Sequence, residues 1–252
     1  MDAEIIYHFC FFHNKGVKSE KRAESAGICS LKICSLKMDS KTICESHGNY
    51  SGMGAKIIAL LGSPRLSGNT ATLLEQAIRG AVDAGCEVEK IEVTTLEFRA
   101  CREIFFCREQ EACAMKDDMT AIYGKFRDVD GVIVATPVMT MGIPGQLKSF
   151  MDRFQVYFMA KYMRKKPMVP EDKRKHRLGL YLGISGMNVP SVFDGAKLTM
   201  HAFFDIIDVK YWDDLLVRDM DSIQDLSTRP EILKEAYRKG NEMGRLLRKT
   251  VT

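Results

Sequence analysis

Lys56–Leu61 (KIIALL) runs into Gly62–Thr70 (GSPRLSGNT), and Leu73, Leu74, Ala77, Ile78, Ala81 and Val82 then follow at helical spacing. The apolar run stops at Gly62, so the pattern predicts a strand that turns into a helix over residues 69–84. The connecting loop gathers the hydroxyls of Ser63, Ser67 and Thr70, the Asn69 amide, the Arg65 guanidinium and Gly68, where backbone can approach closely. It opens a helix whose free N–H groups attract anions. There is no P-loop lysine, which disfavours a nucleoside triphosphate with magnesium, and no G-x-G-x-x-G, which disfavours a bridging pyrophosphate. A terminal monophosphate held by neutral donors and one Arg fits better. Taken alone, the loop reads equally as a Ser/Gly-rich turn with an Asn or Thr cap.

Outward from this unit the pattern repeats. Strands are predicted at 88–93, 131–136 (GVIVAT, a continuous run that wants burial on both faces), 178–184 and 210–217. Helices are predicted after Asp117-Asp118, from about Gly145 to Met163, over 191–207, and over 230–249 with Pro230 at the first position. Acidic residues at 117–118 suit the positive end of a helix dipole. Five strands alternating with helices and right-handed crossovers imply a doubly wound α/β domain, a five-stranded parallel sheet with helices on both faces, spanning 54–252. Its ligands belong beyond the carboxyl ends of the strands, in the loops at 62–70, 94–117, 137–145 and 184–191.

Hydrophobic residues are 46% and charged residues 28% of the 252, which excludes a mainly disordered or fibrous chain. A net charge of +4, dispersed along the sequence, argues against a dedicated nucleic-acid binder. Nothing reaches 18 uncharged apolar residues, so no membrane span is expected. The eight cysteines, at 10, 29, 34, 44, 86, 101, 107 and 113, are grouped as in a reducing, cytoplasmic protein rather than a secreted disulfide scaffold. Residues 1–53 show no sustained period and read as a poorly ordered extension; Cys10, Cys29, Cys34, Cys44, His13 and His47 lack the paired spacing of structural zinc sites.

The loop after the third strand, Thr136 to Pro144, joins an apolar strip to backbone groups at a strand end, a surface that can cover a flat heteroaromatic ring. Four motifs then stand in order: GSPRLSGNT, the DDM at 117–119, TPV at 136–138 and GQLKSFMDR at 145–153. Together they resemble the NADPH-dependent FMN reductase family, in its iron–sulfur flavoprotein branch, over residues 55–250. The resemblance implies a flavodoxin-like fold with FMN. Ser63, Arg65, Ser67, Asn69 and Thr70 would hold the phosphate; Pro137, Val138, Met139, Thr140 and Gly142 would flank the isoalloxazine; Ser185 and Gly186 would meet its other edge. Met139 stands where the family often presents an aromatic residue, so the pocket stays apolar while stacking is lost.

The branch also carries C-x2-C-x2-C and a fourth Cys before the DDM element. Cys101, Cys107 and Cys113 occupy three of these metal-ligand places and Ile104 the other, where it offers no ligand atom. A four-iron cluster normally takes four thiolates, so an iron–sulfur site here is incomplete unless a leader cysteine, a partner chain or water completes it, or a three-iron cluster forms instead. Cys86 precedes the second strand, too far along the chain to substitute. A cluster-free loop with free thiols, its Ile104-Phe105-Phe106 packed beside a flavin or at a subunit contact, is the competing expectation.

The basic stretch from Lys161 to Arg177 reads as a solvated loop, or as a patch for the NADPH phosphate or an acidic redox partner. His176 and His201 read as structural. By resemblance the function is an FMN-dependent NAD(P)H oxidoreductase passing electrons to a quinone, a small oxidant or a redox protein, as a homodimer or homotetramer, with no catalytic acid or base of its own. The alternatives are a non-enzymatic flavodoxin-type carrier and a cofactor-free interaction module.

Overall fold

The structure is a computed structural model, and it describes residues 54–251. The extension to residue 53, with its cysteines and histidines, lies outside the described residues.

Five strands form one sheet: β1 (Lys56–Leu61), β2 (Glu87–Glu92), β3 (Gly131–Pro137), β4 (Leu178–Ile184) and β5 (Lys210–Val217). Their order is β2-β1-β3-β4-β5 and every pairing is parallel. The architecture is the doubly wound parallel sheet that the alternation predicted, in the flavodoxin-like order that the resemblance implied. The three inner strands are buried on both faces, which is why β3 reads as GVIVATP with no polar alternation.

Side-chain alternation along β1 sorts the core into two layers. Ile57, Ala59 and Leu61 face α1 (Asn69–Asp83) and α8 (Pro230–Val251). Ile58 and Leu60 face α2 (Met119–Asp128), α3 (Gly145–Asp152) and α6 (Asp194–Ile206). Helices α1 and α8 pack backbone to backbone. A side chain on Gly80 would strike the Tyr237 carbonyl, and one on Gly240 would strike that of Ala77, so only glycine fits at either contact. In the other layer Phe154 sits among Phe126, Phe150 and Phe203, with ring centroids 4.7, 5.4 and 5.2 Å away. Such pairs add about 0.5–1.5 kcal/mol beyond area burial.

Two expectations are corrected. The helix expected to run from Gly145 to Met163 is broken: α3 ends at Asp152, α4 (Gln155–Phe158) follows, and Met159–Met163 is a π-turn. Around the break Phe154 and Tyr157 donate to Met151 and Phe154, bonds one residue shorter than α-helical ones. The basic stretch is not simply a solvated loop either. Arg177 is 1% exposed; it donates from Nε to the Val129 carbonyl (2.9 Å), from Nη1 to Ile207 (2.6 Å) and from Nη2 to Phe126 (2.6 Å). These carbonyls end α2 and α6. The remaining short helices are α5 (Glu171–Arg174) and α7 (Met220–Ile223).

Candidate functional site

The strand order reverses between β1 and β3, and the loops that follow these two strands stand side by side, joined where the Gly62 N–H donates to the Ala135 carbonyl (2.8 Å). That is the switch point where open α/β sheets place ligands. In the first loop Ser63 is buried and its hydroxyl oxygen accepts the Arg65 N–H at 3.1 Å, which leaves the hydroxyl proton to donate elsewhere. Arg65 and Ser67 are exposed and Thr70 is buried. Because α1 begins at Asn69, its first N–H groups have no carbonyl a turn earlier to receive them. Asn69 is placed differently from expectation. Its amide donates to the Gln224 carbonyl (2.7 Å) and accepts from the Leu226 N–H (3.1 Å), so its side chain ties α1 to the segment after α7, leaving only its backbone N–H for an anion.

The second loop continues β3. Val138 N–H donates to the Ile184 carbonyl (2.7 Å), and Met139 and Gly142 exchange both backbone bonds (2.9 and 3.0 Å) around Thr140 and Met141. Those two residues have φ of 49° and 59°, the left-handed pair of a type I′ turn. Such conformations cost about 1–3 kcal/mol each without glycine and collect at ligand sites. A side chain on Gly195 would run into the Met141 carbonyl, so the start of α6 supports this turn. Met139, Met141 and Met187 are exposed at 45, 42 and 46%, and Pro137 and Val138 are half-buried. After β4 the Ser185 N–H donates to Val217 and its carbonyl accepts from Met220, while the Gly186 carbonyl accepts from Asp221. The Asp221 carboxylate lies where a Gly186 side chain would be, so this edge carries an acidic group that the motifs did not announce.

Cys101, Cys107 and Cys113 line one cavity together with Ile104 and Arg153. Arg153, 1% exposed, is the last residue of the GQLKSFMDR motif and follows α3 directly. Its guanidinium forms a two-pronged ion pair with Asp117 (2.6 and 2.9 Å) and donates to the Arg99 carbonyl (2.7 Å) and to Cys113 Sγ (3.5 Å). Asp117 also accepts the Met119 N–H (3.2 Å) at the start of α2 and the Arg99 N–H (3.4 Å). Arg164 donates to the carbonyls of Cys107 and Gln110. Burial pushes the Cys107 thiol up, and the neighbouring Cys101 adds to the rise. Glu103 and Phe105, at φ 49° and 59°, bracket Ile104 and turn it outward; Ile104, Phe105 and Phe106 are 55, 44 and 47% exposed. Cys86 packs in the opposite layer.

A profile of the NADPH-dependent FMN reductase family matches residues 55–183, half of the chain. The chain belongs to this family. Among its relatives, an iron–sulfur flavoprotein of Methanocaldococcus jannaschii is 37% identical over 98 residues, which are 39% of this chain and 51% of that protein. A second from the same organism is 32% identical over 59% of this chain and 70% of its own length. The chain thus spans about half the length of the first relative. Among solved structures, the NAD(P)H:quinone oxidoreductase from Methanothermobacter marburgensis superposes with a TM-score of 0.58 over 75% of this chain and 99% of that one, at 16% identity, a likeness of fold.

Two of the four motifs therefore meet each other: the Asp of DDM and the final Arg of GQLKSFMDR form one clamp on the cysteine loop. Their opposite charges were the available signal. Burial works against the Asp117 carboxylate, but the Arg153 hydrogen bonds and charge outweigh it and hold its pKa below the ordinary carboxylate value. A depressed folded-state pKa stabilises the fold above the unfolded value and loses that contribution as pH falls through the folded one. Asp117→Asn is accordingly expected to flatten the acid limb of stability against pH, from about pH 5 downward, when urea midpoints of both proteins are compared. Parallel acid limbs would show that the pair is not the acid-sensitive element. Among the described residues no helix is long and apolar enough to cross a membrane.

Proposed function

We propose that this protein is an FMN-dependent NAD(P)H oxidoreductase that passes electrons to a quinone, a small oxidant or a redox protein. The observation that carries this reading is the anion-ready loop at the β1/β3 switch point: a buried Ser63 hydroxyl with its proton free, unmatched N–H groups at the start of α1, and the Arg65 charge beside them. In this reading Ser63, Arg65, Ser67, Thr70 and the Asn69 N–H hold the phosphate. Val138, fixed by its bond to Ile184, and the turn through Thr140 orient the ring, and the three exposed methionines shield it from water. FMN, when bound, supplies the hydride-accepting and electron-donating chemistry. The same reading gives the relatives' iron–sulfur character to the cysteine loop and makes the assembly a homodimer or homotetramer.

FMN at a hundredfold excess over its dissociation constant is expected to stabilise the fold by about 2.7 kcal/mol, read as a melting shift. Arg65→Ala and Ser63→Ala should each remove a charge-assisted phosphate contact of about 1.5–3 kcal/mol, weakening FMN binding roughly tenfold to a hundredfold while leaving riboflavin, which has no phosphate, unaffected. Equal losses for both ligands would move the phosphate elsewhere. Stopped-flow mixing with NADPH tests the activity: rapid bleaching of the flavin supports the oxidoreductase, bound but slowly bleached flavin favours an electron carrier, and a colourless protein indifferent to FMN favours an interaction module.

A further inference from the structure

We infer, on the reading that FMN sits at the switch point, that Asn69 is a positioning residue for the flavin ring: its side chain joins the phosphate loop, through a strained turn at Gln224, to the loop at 185–187 on the ring's edge. The backbone N–H of Asn69 is one of the unmatched donors that open α1, so the phosphate claims that group and not the amide. The amide is engaged at both of its atoms, with Nδ2 donating to the Gln224 carbonyl (2.7 Å) and Oδ1 accepting from the Leu226 N–H (3.1 Å).

Between those two bonds the backbone is strained. Gln224 has φ 60° and ψ −55°, and the Asp225 N–H donates across it to the Ile223 carbonyl (2.7 Å), which makes a γ-turn of the rare positive-φ kind. A residue with a side chain keeps such a conformation only where its neighbours over-determine it. Asn69 does so from both flanks. The same segment begins at Asp219, with φ 65°, and there it turns to the ring's edge. The Asp219 N–H donates to the Met187 carbonyl (3.3 Å), Met220 to Ser185 (3.0 Å) and Asp221 to Gly186 (3.2 Å). All three carbonyls of the loop are thus held by the start of α7, while the Gly186 and Met187 N–H groups have no backbone partner among the described residues and are left to donate to a ring carbonyl. Releasing the turn at Gln224 loosens α7, and with it the donors that aim this loop.

Titration of the full chain with FMN and with riboflavin tests the coupling. Asn69→Ala keeps the backbone N–H, so its loss should fall on both flavins alike, about tenfold for each, where Arg65→Ala penalises FMN alone. At saturating FMN the visible circular dichroism of the ring should weaken in Asn69→Ala and match the parent in Arg65→Ala. Amide exchange at Met220 and Asp221 should quicken in Asn69→Ala with or without flavin. Glycine takes positive φ without strain, so Asn69→Ala with Gln224→Gly should regain much of the affinity for both flavins, a rescue that general damage to the fold would not allow. The double variant also carries the test if Asn69→Ala alone does not fold. A loss confined to FMN would return the amide to the phosphate and overturn the coupling. Unchanged binding of both flavins, or no rescue by Gln224→Gly, would overturn it with the FMN reading intact. A parent chain that binds neither flavin overturns that reading and this inference with it.

Discussion

Arg177→Met is expected to lower the stability of the fold by about 3–5 kcal/mol. A buried guanidinium without a carboxylate against it is normally unaffordable, and burial does pull the Arg177 pKa down. The cation is held by geometry instead: its three donors end on Phe126, Val129 and Ile207, at the C-terminal ends of α2 and α6. Each helix end carries about half a negative charge, so two of them approximate one counter-ion. Methionine matches the stem but leaves three buried carbonyls unmatched, at about 1–3 kcal/mol each and not additive. A loss of about 3–5 kcal/mol is a large part of the roughly 5–15 kcal/mol that holds a domain together. Urea unfolding gives the readout; a midpoint within error of the parent would mean that water satisfies those carbonyls.

Arg153→Met is expected to cost about as much, roughly 3–5 kcal/mol, for the opposite electrostatic reason. Here a carboxylate is present, and removing the cation strands Asp117 in a site where only 15% of its side chain meets solvent. The Arg99 carbonyl loses its donor at the same time. Because Arg153 touches Arg99, Cys113 and Asp117, the damage should centre on the segment between residues 99 and 117, and limited proteolysis should cut there first. Adding Asp117→Asn should recover part of the loss, since the stranded charge goes with it. If the double variant is no more stable than Arg153→Met alone, the ion pair is not the source of the effect.

The sheet was legible because inner strands of a parallel sheet are apolar without alternation, a pattern that KIIALL and GVIVAT carry undiluted. That the loop at 62–70 opens a helix was legible from its composition. The fate of Asn69 was not: an amide beside a helix start serves an anion or a neighbouring backbone equally well, and Gln224 and Leu226, which decide it, lie more than 150 residues away. The break after α3 was hidden because Leu147, Phe150, Met151, Phe154 and Tyr157 keep helical spacing through it, and the shorter bonds around Phe154 preserve the buried face. Arg177 is the one fully buried member of a run of cations, and only the convergence of two distant helix ends separates it from them. The Asp117–Arg153 clamp joins residues that the motifs display singly.

Helix α3 starts at the methionine-rimmed turn and finishes at the arginine of the thiol cavity. Its eight residues, at 1.5 Å each, make a ruler of about 12 Å between the two places. The ruler also fixes phase: one inserted residue would swing Arg153 by roughly 100° and carry it away from Asp117. A change in the length of this segment would therefore disturb the distance and the phase between the turn and the clamp at once, whereas exchanges of its exposed side chains would disturb neither.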